Sequence, residues 1–157
     1  MNEMLANQYF ISERYQEASY QYGEVLKKHP ENYLVKKKLV LCYIKTGEID
    51  NALKLFTELT KSNVNIIFKN EISIYPQICK DMIYEIENFN SNFTQKEKYL
   101  ILGILYMYCD FKIAEEHFQK LQKMIPYNDN LFTTIKTINH FITKKKEHED
   151  GKETLFT

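Results

Sequence analysis

The chain has 157 residues, and its basic and acidic side chains balance at 21 each, so the formal net charge is zero. That balance argues against a general nucleic-acid binder, whose affinity comes largely from neutralising phosphates. A hydrophobic content of 44% argues against disorder, and only 4 Gly and 3 Pro point to long helices joined by short turns around one sizeable core.

Residues 1–15 contain no continuous apolar run with a cleavage site, so no secretory leader is expected. No stretch approaches the ~18–20 apolar residues of a membrane span; the nearest, Tyr99 to Cys109, is too short and reads as a buried helix. A cytoplasmic location, off the membrane, is the expectation. The first informative feature is an internal repeat. Ala6, Tyr9, Ala18 and Tyr22 pair in character with Val40, Tyr43, Ala52 and Phe56, each 34 residues later, whereas Leu26 and Thr60 at the same offset do not. In each copy a small residue and an aromatic one lie on one face of a first helix. Leu5, Ala6 and Tyr9 form that face, then Leu39, Val40 and Tyr43. A turn follows, at Gly47 in the second copy, and a second helix offers Ala18 or Ala52 for close approach and Tyr22 or Phe56 to fill the space one turn on. Such a pair cannot bury its own apolar face, so neighbours must stack.

The period of 34, the small–aromatic–turn–Ala–aromatic order and Pro30 just after the second helix resemble the tetratricopeptide repeat over residues 2–61. That resemblance implies helix–turn–helix units stacked into a superhelix. It also implies a concave inner surface that binds other proteins.

Further along, Val64, Ile67, Phe68 and Ile72 fit one helical face, and Cys79, Met82, Ile83, Ile86 and Phe89 fit another, with Pro76 suited to the first turn of the second helix. Residues 63–91 are therefore expected to hold a degenerate helix pair without the repeat's small and aromatic residues. The alternation of Ile66, Phe68, Ile72 and Ile74 leaves an extended segment as the other reading. Asn88 to Thr94 reads as a loop. Leu102, Gly103 and Tyr106, then Ala114, Phe118 and Pro126, again resemble the repeat, but the turn at Cys109-Asp110-Phe111 is one residue shorter and lacks its glycine. A last helix begins near Asn128 or Asp129 and carries Leu131, Phe132, Ile135, Ile138, Phe141 and Ile142 on one face, as a cap for the final apolar surface. The predicted fold is all-α, an α-solenoid of about four antiparallel helix pairs plus a C-terminal capping helix. It forms a single domain over residues 1–146, with a flexible tail over 147–157.

Little in the chain points to chemistry. Cys42, Cys79 and Cys109 are odd in number, have no zinc-type spacing and lie in apolar helical patterns, so they read as buried free thiols. His29 stands at a helix end, His117 has Glu115 and Glu116 beside it but on other faces, and His140 and His148 lie near the C-terminus. No phosphate loop and no nucleophile on a strand-to-helix turn is present. The expectation is no enzyme, no catalytic residue, no cofactor and no metal.

The run Lys36-Lys37-Lys38 bears more on function. In the helix Asn32–Lys45, Lys37, Lys38, Leu41 and Lys45 share an arc, with Leu34 one turn before. Asn7, Phe10 and Ile11 occupy the equivalent arc of the first unit, and the resemblance places this arc on the concave surface. The candidate groove is therefore Asn7, Phe10, Ile11, Leu34, Lys37, Lys38, Leu41 and Lys45, with apolar anchors and lysines for an acidic peptide or helix of a partner. A plain solvated lysine face is the other reading. Some members of the family grip a C-terminal carboxylate. Asn7 matches that pattern, but Glu3 stands where a Lys is expected and Lys38 where a second Asn is expected. The strip Leu100, Ile104, Met107 and Tyr108 is either covered by neighbours or an exposed binding surface. The leading function is a protein-interaction module or adaptor. Homodimeric self-assembly is the first alternative and single-stranded RNA binding the second.

Overall fold

The computed structural model describes residues 2–68, 74–89, 92–127 and 129–155. Among them are eight helices and no strand: α1 (Asn2–Ile11), α2 (Tyr15–Lys28), α3 (Tyr33–Lys45), α4 (Ile49–Phe68), α5 (Ile74–Asn88), α6 (Gln95–Met107), α7 (Phe111–Met124) and α8 (Asn130–Leu155). The all-α repeat architecture expected from the sequence is therefore present. The chain divides into two compact units, Met1–Ile67 and Phe68–Thr157.

In the first unit α2 packs against both α1 and α3. The paired positions do what their sizes demand. Ala6, Ala18, Val40 and Ala52 are fully buried, and so are Tyr22 and Phe56. Each of those rings removes enough apolar surface from water to stabilise the fold by about 2–3 kcal/mol.

The two turns of the repeat are built alike. After α3, the Gly47 N–H donates to the Ile44 carbonyl at 3.2 Å and the Glu48 N–H to the Tyr43 carbonyl at 2.8 Å. This pair of bonds closes a helix over a left-handed residue, and Gly47 has φ +79°. After α1 the Glu13 N–H bonds the Phe10 carbonyl and the Arg14 N–H the Tyr9 carbonyl in the same pattern, so Glu13 takes the left-handed position, at φ 62°. A side chain there meets the carbonyl oxygen that glycine avoids. The variant Glu13→Gly is expected to gain about 0.5–1 kcal/mol in urea melts. An unchanged or lowered midpoint would show that the turn is unstrained.

The second unit contains α5 to α8, with α6 packed on α5 and α7, and α7 on α8. Gly103 on α6 lies against the Phe118 ring of α7; a Cβ at residue 103 would stand 2.7 Å from Phe118 Cδ1, closer than side chains approach. The short turn of this unit needs no glycine. Tyr108 stays right-handed at φ −80°, the Cys109 and Asp110 N–H groups both donate to the Tyr106 carbonyl, and the Asp110 carboxylate accepts from the Lys112 N–H at 3.1 Å to start α7. Losing one residue thus replaces the left-handed closure by a tighter right-handed one. Thr94 and Glu97 form a reciprocal cap at the start of α6. Asp129 caps α8, accepting from the Leu131 N–H at 2.8 Å.

Several finer expectations meet the structure differently. α4 runs unbroken to Phe68 and absorbs part of the first helix expected for a degenerate pair, and residues 69–73 lie outside the described residues. Of the residues in the extended reading, Ile66 and Phe68 are helical and Ile74 begins α5, with Pro76 in its first turn, while Ile72 lies outside the described residues. α8 continues to Leu155, past the point at which hydrophobic periodicity ends. Among the charged residues of α8, Lys146 meets Glu115 of α7 at 2.7 Å. The strip Leu100, Ile104, Met107 and Tyr108 is covered, each residue being at most 6% exposed. Cys42 and Cys79 are buried, but Cys109 is exposed, because it falls in the α6–α7 turn rather than inside a helix.

Candidate functional site

The candidate groove is set by α1 and α3 of the first unit. α3 starts where Asn32 caps it, its side-chain oxygen accepting from the Val35 N–H at 3.1 Å. From there α3 carries four lysines and no carboxylate, an excess of positive charge within a neutral chain. Lys36 and Lys45 are held over aromatic faces: Lys36 Nζ lies 5.8 Å from the Tyr33 ring centre and Lys45 Nζ 5.6 Å from that of Tyr15. Each such contact is worth about 0.5–1 kcal/mol near the surface.

The floor of the site is aromatic and polar at once. Phe10 meets Tyr15 edge-on at 5.7 Å and Tyr22 at 6.2 Å. Beside this cluster the Asn7 Oδ1 accepts two hydrogen bonds, from the Tyr22 hydroxyl at 2.7 Å and from Lys38 Nζ at 2.8 Å. One amide oxygen thereby joins α1, α2 and α3. The Lys38 ammonium also stands 5.9 Å from the Tyr22 ring centre. Burial pushes the Lys38 pKa below its ordinary value, and the charge of Glu3 opposes that shift. Glu3 in turn accepts a bond from the Asn32 amide at 3.3 Å.

The eight expected residues therefore separate by accessibility. Ile11 and Lys45 are exposed, Asn7 and Leu34 are half-buried, and Phe10, Lys37, Lys38 and Leu41 are buried. The helical arc places all eight on α1 and α3, but arc position alone does not reveal how deep a side chain sits. Lys37 is 1% exposed, which no surface reading of a lysine run anticipates.

Residues 9–67 match a family model described as tetratricopeptide repeat. The likeness to the tetratricopeptide repeat covers that segment, which is less than half of the chain. The match ends where the first compact unit ends, at Ile67, and takes in α2 and α3 whole. No curated protein and no solved structure matches the chain.

Asn7, which in the sequence matches the carboxylate-gripping pattern, lies just before the matched segment. Here Lys38 donates to the Asn7 oxygen, so its ammonium is turned inward to α1 rather than outward to a partner's carboxylate. The aromatic cluster of Phe10, Tyr15 and Tyr22 was partly legible, since Phe10 and Tyr22 stand at helix-face positions; the contribution of Tyr15, the first residue of α2, was not. Among the described residues no three His, Cys, Asp or Glu side chains come together in a way that would hold a metal ion. None of the described helices is long and apolar enough to cross a membrane.

Proposed function

We propose that this chain is a protein-interaction module, an adaptor that receives an acidic peptide or helix of a partner on the α1–α3 arc of its first unit. The observation that carries the reading is the accessible charge on α3: an exposed Lys45 and a half-buried Lys36 with no carboxylate on the helix, inside the segment that matches the tetratricopeptide repeat. Ile11 and Lys45 make the direct contacts, an exposed apolar anchor beside an exposed cation. Asn7 and Leu34 line the arc, while Phe10, Lys37, Lys38 and Leu41 form its floor. Because the floor is packed and hydrogen-bonded, little ordering cost falls on the receptor when the partner arrives. Free thiols and no disulfide among the described residues fit a reducing, cytoplasmic setting.

The test is affinity capture from native lysate with and without nuclease treatment, comparing the wild type with an Ile11→Glu/Lys45→Glu variant of unchanged helicity and with a Lys123→Glu control on α7. A protein captured by wild type and control but lost by the double variant, by tenfold or more, is the expected result. Capture that survives in the double variant moves the site away from the arc. Recovery of the chain alone, with a mass in solution that rises with concentration, would replace the adaptor by self-assembly. Capture lost on nuclease treatment would replace it by an RNA-mediated association.

A further inference from the structure

A second feature, independent of the repeat arc, lies in the second unit. Between α5 and the α6–α7 turn is a cavity of about 440 Å³ whose wall includes Lys80, Glu87, Tyr106, Cys109 and Asp110. Cys109 is exposed and opens onto this cavity, while Cys79, one helix away on α5, is fully buried. The Cys79 side chain, 30 residues earlier in sequence, lies near enough to Cys109 to be the largest single influence on its thiol. Their spacing carries no recognisable redox motif, so only the packing of α5 against α6 brings them together.

The local charges suit an attacking sulfur. The Cys79 side chain and the nearby Lys80 ammonium both stabilise a Cys109 thiolate, against burial and the Asp110 carboxylate; the balance holds the thiol below its ordinary pKa. Cys42 is the internal contrast, buried among apolar side chains and pushed up to about 12. A thiolate that is reachable from a cavity, with a second thiol close behind it, is the arrangement that oxidises selectively and then forms a disulfide.

We propose that Cys109 is a peroxide-reactive modification site and that Cys79 is its resolving thiol, so that oxidation closes an intrachain Cys79–Cys109 disulfide. In the first step the Cys109 sulfur attacks one oxygen of hydrogen peroxide. The S–O bond forms, the O–O bond breaks, and the departing hydroxide takes a proton and leaves as water. In the second step the Cys79 sulfur attacks the Cys109 sulfenic acid. The S–S bond forms, the S–O bond breaks, and hydroxide leaves as water with the proton that Cys79 gives up. Peroxide gains two electrons and the two thiols lose them. The product ties α5 to the α6–α7 turn across one edge of the cavity, and a dithiol reductant reverses it.

The experiment treats the full chain with hydrogen peroxide, quenches with catalase, denatures, alkylates with N-ethylmaleimide and maps the peptides. Of three free thiols in the untreated chain, the expected result is one remaining, Cys42, with a linked Cys79–Cys109 peptide and a monomeric mass. The variant Cys109→Ser, changed at an exposed turn residue, should keep both remaining thiols at peroxide doses that convert the wild type. Cys79→Ala should instead let a dimedone adduct accumulate on Cys109, at least about tenfold faster than any on Cys42. Three alkylated thiols after treatment, oxidation at Cys42 first, or a disulfide only between chains would each overturn the proposal. The wild-type map alone decides between these outcomes, whether or not the Cys79 variant folds.

Discussion

The variant Asn7→Ala should lose about 3 kcal/mol of unfolding free energy, a large effect for one half-buried amide. The Asn7 oxygen is the acceptor for two donors that have left water, the Tyr22 hydroxyl and the Lys38 ammonium. Removing an acceptor from a buried neutral donor costs about 1–3 kcal/mol, and a charged donor costs more. Lys38→Met removes the charge and keeps most of the apolar stem in place, so it is expected to change stability by less than about 1 kcal/mol. In a Lys38→Met background the Asn7→Ala change should then cost about 1–2 kcal/mol less than in the wild type. Urea melts of the four proteins give this coupling directly. Strict additivity would mean that Asn7 and Lys38 do not act as a unit, and it would return both to the set of residues free to meet a partner.

The same node shows where the sequence stops being informative. The repeat itself was readable because its requirements are local. Small residues at Ala6 and Val40, alanines at Ala18 and Ala52, and rings at Tyr22 and Phe56 follow from how closely two helices must approach, and all six are buried as that geometry demands. The arc of α1 and α3 was readable for the same reason, since helical periodicity assigns faces. Depth was not. Lysine stems are long enough to reach inward or outward, and the direction depends on whether an acceptor waits inside. For Lys38 the acceptor is Asn7, 31 residues away on another helix. The approach of Cys79 to Cys109 was hidden by the same kind of distance. The degenerate stretch after Ala52 was harder still: with no Gly or Pro between Asp50 and Phe68, α4 simply continues, and counting repeats by length splits a helix that the chain keeps whole.

Alkaline titration should expose a second energetic consequence of burial, this time at Cys42. Its thiol is fully buried on α3, and burial raises its pKa from an ordinary 9 to about 12. The folded state therefore keeps a proton that the unfolded state has released over most of the interval between those values. Stability from this group is fully present below pH 9 and falls as pH rises from 9 towards 12, at up to about 1.4 kcal/mol per pH unit. Burial raises Tyr43 and Tyr106 in the same direction, Tyr106 to about 12, so the whole protein should weaken in this range. The variant Cys42→Ala isolates the thiol. At neutral pH it should be less stable than the wild type by about 1 kcal/mol, because a small cavity replaces the sulfur. Above pH 9 it lacks the group that resists ionisation, so its stability should fall less steeply and its curve should cross that of the wild type near pH 10. Denaturant melts under reducing conditions, at half-unit steps from pH 7 to 11, would follow both curves. Parallel curves would show that the Cys42 thiol ionises as readily folded as unfolded, and so that water reaches the interior of α3.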